Sequence, residues 1–255
     1  MEIIIGLLII AIGAFCQSSS YVPINKIKSW SWESYWLIQG VFAWLVFPIL
    51  GAMLAVPEGH SLVELFTSAS TLNVLMTIFF GVLWGIGGLT FGLSMRYLGV
   101  ALGQSIALGT CAGLGTIMGP VLLHLFFPEQ NPLAQLTTAV LIGVAVTLVG
   151  IAIIGAAGAM KAKQVNGDTN TDFNFPKGIT IALLAGFMSG CFNVGLTFGA
   201  DIHFEQSEPI FATLPATLLV TMGGFVTNLI YCLYQNHKNK TFSDYKSGWK
   251  NNLLW

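Results

Sequence analysis

Amides and hydroxyls stand inside stretches of this chain that are otherwise apolar: Gln17 to Ser20, Gln39, Thr90, Ser94, Gln104, Ser105, Ser189, Asn193 and Asn228, interleaved with Trp36, Trp44 and Trp84. Amides pair with hydroxyl groups as both donor and acceptor, and an aromatic face covers the C–H side of a sugar ring, so this set suits a neutral polyhydroxylated ligand. Gln17, Gln39, Trp84, Gln104 and Asn193 are taken as substrate-binding residues. Hydrogen bonding between helices is the competing use for each of them singly. A charged metabolite would need a buried cation. Apart from Arg96, the Lys and Arg residues lie between the apolar runs or beside their ends.

Glu33 is the one acidic residue close to the body of an apolar run. A carboxylate in hydrocarbon is costly, which makes it the residue to consider for proton coupling. It also lies at a run's start, near Lys28 and between tryptophans, where an acidic side chain complements the positive end of a helix. Enzyme chemistry finds no support. There is no phosphate-binding glycine loop, no nucleophile elbow and no paired histidine ligands. His60, His124, His203 and His237 fall at or beyond the ends of the runs, where a solvated or interfacial place is expected. Cys16, Cys111, Cys191 and Cys232 lie within runs and lack metal-ligand spacing, so buried packing is expected. No cofactor, metal or nucleic-acid partner is expected.

The elements that must carry these residues are membrane helices. The chain is 55% hydrophobic and 8% charged, against roughly 25% charged in an average soluble domain, and its mean hydropathy is +0.76. Spans are expected at Ile3 to Tyr21, Trp32 to Leu54, Val74 to Met95, Leu98 to Phe126, Leu136 to Ala157, Gly178 to Gly199 and Ile210 to Leu233. Runs of ~20 apolar residues without alternation fit helices crossing a ~30 Å core and exclude a barrel. Ile3 to Phe15 is no secretion signal, because Glu2 stands where a basic residue would and no small-residue cleavage site precedes Cys16. The fold class is all-α and polytopic, with seven complete transmembrane helices and, at Asn251 to Trp255, the opening of an eighth.

All ten Lys and Arg residues fall in alternate gaps: Lys26 and Lys28; Arg96; Lys161, Lys163 and Lys177; Lys238, Lys240, Lys246 and Lys250. Basic short loops stay cytoplasmic, which places the N-terminus in the periplasm of a bacterial inner-membrane protein. Arg96 and Tyr97 would form the tight turn joining the third and fourth spans. Pro48, Pro120 and Pro215 sit inside spans, with Pro120 the expected kink or break. Glycines four apart (Gly81 and Gly85, Gly88 and Gly92, Gly99 and Gly103, Gly109 and Gly113, Gly115 and Gly119) are spaced for close helix packing. Leu7-Leu8 matches Leu183-Leu184, and in that register Gln17 falls on Asn193. The first and sixth spans would then be related by inverted topology, as in many secondary transporters. The divisions expected are 1–160, a polar cytoplasmic linker at 161–177, and 178–255.

Two stretches carry a resemblance: Pro23 to Tyr35, reading PINKIKSWSWESY, and Trp84 to Gly99, reading WGIGGLTFGLSMRYLG. The chain resembles the L-rhamnose/proton symporters of bacteria, in the drug/metabolite transporter superfamily. That resemblance implies ten helices in a five-plus-five inverted repeat, an outward N-terminus, and uptake of a deoxy sugar with a proton. Family patterns often carry Asn where this chain has Gly88 and Thr90, which leaves the sugar's identity open, as the sequence leaves Na⁺ in place of H⁺. Against ten helices, seven spans read as a C-terminally truncated product. The rival readings are another permease of the superfamily, such as a metabolite exporter, and a seven-helix membrane sensor. The expected partners are thus a small neutral sugar, a proton and the lipid bilayer.

Overall fold

A computed structural model describes residues 2–19, 27, 30–165 and 174–246, all helical or irregular with no strand among them. The helices are α1 (Glu2–Ser19), α2 (Trp32–Met53), α3 (Leu62–Ser68), α4 (Thr71–Leu98), α5 (Val100–Phe126), α6 (Thr138–Val165), α7 (Phe175–Phe198) and α8 (Leu214–Asn239). Six are long and apolar enough to cross a membrane, and a shorter apolar helix, Ile4–Cys16, lies at the N-terminus. These correspond to the seven expected spans. The expected eighth helix at Asn251 to Trp255 lies outside the described residues. The short α3 and three 3-10 turns, Pro128–Gln130, Pro132–Gln135 and Phe242–Lys246, were not foreseen.

Several expectations are corrected. The turn between α4 and α5 is made by Gly99 alone, at φ 81°, with Arg96 and Tyr97 still helical. Only glycine takes that left-handed geometry without strain. Pro215 sits in the first turn of α8, which begins at Leu214, so its missing N–H costs no helix bond there. Pro120 does not break α5, which runs unbroken to Phe126. Pro48 follows a π-helical turn, Phe42–Val46, in which Phe47 N–H donates to Phe42 O. The polar linker begins later than expected, since α6 extends to Val165; residues 166–173 lie outside the described residues. Cys16 is exposed, whereas Cys191 and Cys232 are buried.

The chain divides into two compact units, residues 1–39 with 230–255, and residues 40–229. In the larger unit α7 packs against α4 and α5, and α5 against α6. Glycine makes these approaches possible. A Cβ on Gly87 would lie 2.7 Å from Ser189 N on α7, and one on Gly186 would lie 2.6 Å from Ala107 O on α5. A Cβ on Gly85 would lie 2.8 Å from Gly224 O of α8, and the Thr227 hydroxyl of α8 donates across this seam to Val82 O of α4. Gly88 and Gly92 depart from the expected packing: both face open space. The core of this unit joins Phe80, Leu123, Cys191, Val194 and Phe198. At its basic end Lys177 Nζ donates to Tyr97 Oη at 2.9 Å.

Candidate functional site

In the larger unit a cleft of about 460 Å³ opens where the first turn of α4, the C-terminal half of α5 and the end of α7 converge. That volume falls in the range of small-molecule sites, ~300–1,000 Å³. Asn73, Thr116, Asn193 and Thr197 supply polar groups on the helices, Gln130 and Gln135 add amides from the 3-10 turns, and Asp201 follows α7. Pro120, Leu123, Phe127, Leu196 and Phe198 form the apolar wall. No Lys, Arg or His is among the described lining residues.

The wall is rich in acceptors. The Thr116 hydroxyl donates to Ala112 O at 2.7 Å and that of Thr197 to Asn193 O at 2.8 Å, so their protons are used within the helices and their lone pairs remain. Asn73 Oδ1 is buried with no hydrogen-bond partner. A buried acceptor left unpaired costs ~1–3 kcal/mol, which a ligand hydroxyl would recover. Two glycines place the α7 side chains: a Cβ on Gly115 would lie 2.9 Å from Asn193 Nδ2, and one on Gly119 would lie 2.6 Å from Thr197 Oγ1.

Of the four expected binding residues whose side chains are described, Asn193 lines this cleft and Gln39, Trp84 and Gln104 do not. Trp84 sits against Gly224, with Trp44 at a ring distance of 6.1 Å and Phe192 at 5.0 Å. Gln104 is exposed near the N-terminus of α5, at the far end from the cleft. Gln39 Oε1 is buried without a partner. The Gln17 side chain lies outside the described residues. Of the histidines expected to be solvated or interfacial, His124 is half-buried, with its Nδ1 buried without a partner. Asn73, Thr116, Thr197 and Asp201 were not singled out. Their signal was weak, because threonine bonding its own helix is common and Asn73 and Asp201 lie at helix ends.

The smaller unit holds a second polar cluster around Glu33. Its carboxylate is 5% exposed and sits in the first turn of α2. Asn239 Nδ2 and the Thr241 hydroxyl lie 2.9 Å from its Oε1. The placement follows from local backbone: α8 ends at Asn239, Lys240 takes φ 58°, and Thr241 N–H returns to Asn236 O at 3.0 Å. A left-handed residue closing a helix with such a bond is a common stop. Asn236 is fully buried; its Nδ2 donates to Cys232 O and Tyr245 Oη, and its Oδ1 accepts from Ser34. Ser31 Oγ and N–H both donate to Asp244 Oδ2, at 2.7 and 2.9 Å. Burial pushes the Asp244 carboxyl up, but the hydrogen bonds from Ser31 and Ser34 outweigh it and hold the group below the usual carboxylate range. Burial raises the Tyr245 phenol.

The model of the L-rhamnose-proton symport protein (RhaT) family matches residues 1–247. The chain belongs to this family. Among curated relatives of the RhaT family, an L-rhamnose-proton symporter of Cronobacter sakazakii is 34% identical over 249 residues, covering 94% of this chain and 69% of the relative. One from Mannheimia succiniciproducens is 32% identical, covering 91% of this chain and 67% of the relative. A third, from Yersinia pestis bv. Antiqua, is 34% identical over 90% of this chain and 66% of the relative. The chain thus spans about two thirds of the length of these RhaT relatives. No solved structure matches it. The family is one of membrane transporters, not enzymes, in keeping with the six apolar helices.

Proposed function

We infer that this protein is a secondary active transporter that carries L-rhamnose or a related deoxy sugar with a proton by alternating access. The observation that carries the reading is the amide- and hydroxyl-lined cleft between α4, α5 and α7, with no cation among its described lining residues, Asn73 Oδ1 unpaired and apolar side chains opposite. A sugar offers several O–H donors and a C–H face, which matches both walls. The relatives are named L-rhamnose-proton symporters, and neither an anionic metabolite nor a signalling role has a matching feature in the cleft. Asn73, Asn193, Thr116 and Thr197 are assigned to the sugar. Trp84, Gln39, Gln104 and Gln17 are kept as proposed substrate-binding residues.

Basic residues at alternate connections support an inner-membrane protein with its N-terminus in the periplasm. On that orientation the cleft opens outward. Two inverted five-helix repeats are the proposed architecture, residues 1–160 forming the first and 178–255 belonging to the second, joined through 161–177. Glu33 stays the rival candidate for coupling to any carboxylate at the cleft.

The test is sugar-dependent proton movement. Adding L-rhamnose to a lightly buffered suspension of cells expressing the chain should alkalinise the medium. A steady pH with rhamnose and related sugars, in cells where the protein reaches the membrane, overturns the reading.

A further inference from the structure

Asp201 is the one ionisable side chain among the described residues that line the cleft. It is exposed, in the turn that follows α7, and its neighbours in the wall are neutral. We propose that the transported proton loads on Asp201, so that the cleft closes over its sugar only after this carboxylate has become a neutral acid. The proposal rests on the cleft being the sugar site.

The argument is one of charge. An alternating-access carrier must at some point enclose its ligand away from water on both sides. An ionised carboxylate enclosed without a counter-ion costs several kcal/mol, and the described wall supplies no cation. A proton from outer water forms an O–H bond at a carboxylate oxygen and removes that charge. On the cytoplasmic side the O–H bond breaks, the proton passes to water and the carboxylate is restored. Protonation removes the charge that opposes closure and the sugar supplies the contacts that favour it, so sugar and proton each favour the other's binding, as linkage requires.

The titratable groups of the surrounding elements are few. Asp201's own loop carries His203, whose Nδ1 lies 2.9 Å from Ala200 O, and Glu205 and Glu208. The loop packs against α3, through Ile202 and Leu65, and beside it His60 and Glu64 pair with each other at 3.1 Å. Glu129 adjoins Gln130 in the 3-10 turn, and His124 is on α5. α4 has none before Arg96, at its opposite end.

Calorimetric titration of the purified full chain with L-rhamnose, in two buffers of different ionisation enthalpy, counts protons taken up on binding. The wild-type protein should take up a proton with the sugar, and its affinity should fall as pH rises, by up to about tenfold per unit. Asp201→Asn should bind sugar with no proton uptake and no pH dependence, and Asp201→Glu should restore both. Undiminished uptake in Asp201→Asn overturns the proposal. So does uptake abolished by Glu33→Gln and kept by Asp201→Asn, which moves coupling to α2. Wild-type protein that binds no sugar at all removes the sugar reading itself, a different result from sugar binding that ignores Asp201.

Discussion

Glu33 Oε1 and the Thr241 hydroxyl meet at 2.9 Å across 208 positions of sequence, tying the start of α2 to the turn after α8. The Thr241 hydroxyl also lies 2.8 Å from Asn236 Oδ1, so its one proton is shared between that amide oxygen and the carboxylate, while Ser34 donates to Asn236 and Ser31 to Asp244. Thr241→Val keeps shape and removes one donor. It should cost about 1.5–3 kcal/mol, the worth of a hydrogen bond to a charged group. Thermal unfolding in detergent measures it, and a melting temperature equal to wild type would contradict the arrangement.

Asp244 gives the same unit a pH dependence with a definite sign. Its carboxyl lies below the usual range in the folded state, so it stabilises the fold above the unfolded value of about 3.9 and ceases to do so as pH falls through the folded value. The stability difference between wild type and Asp244→Asn should therefore be full at neutral pH and shrink below about pH 4. A difference that grows on acidification would reverse the sign. Melting curves of both proteins across that interval decide.

Gly115 and Gly119 leave the space that Asn193 and Thr197 occupy. Gly115→Ala should push the Asn193 amide out of line and weaken L-rhamnose binding about tenfold or more, equivalent to ~1.4 kcal/mol. Gly88→Ala is the control, since a Cβ there meets nothing. It should stabilise α4 by about 0.5–1 kcal/mol and leave the binding isotherm in place.

Asn73→Ala removes the unpaired buried acceptor. If that oxygen waits for a sugar hydroxyl, affinity should drop about tenfold, ~1.4 kcal/mol, while thermal stability of the sugar-free protein holds or rises. Calorimetry with L-rhamnose and a melt without it separate the two. Equal affinity in wild type and variant would remove Asn73 from the site.

The spans were legible because apolar length is written directly in the chain; α2 and α5 end within a residue of expectation. Interruptions were harder. Pro215 reads as a break until one knows that the chain from Ile210 is not yet helical, and Gly88 has the same spacing as Gly81 yet meets nothing, where Gly81 meets the Val220 backbone. The cleft was legible at Asn193, where an amide inside an apolar run stands out. Asp201 and Asn73 look like ordinary residues beside helix ends, and only the convergence of three helices gives them a shared space. Gln104 shows the converse, an amide conspicuous in sequence that ends up pointing away.

The widened turn at Phe42–Val46 is an α-helix carrying one surplus residue. That surplus rotates everything beyond it by about 100° relative to an unbroken helix, and sets the phase at which Trp44 reaches Trp84. Deleting one residue there would tighten the turn to regular pitch without twisting either flank, whereas the same deletion elsewhere in α2 would swing half the rod off its neighbours. Tolerance of shortening is thus concentrated in five consecutive positions, and a deletion scan along α2 should find its single permissive window there.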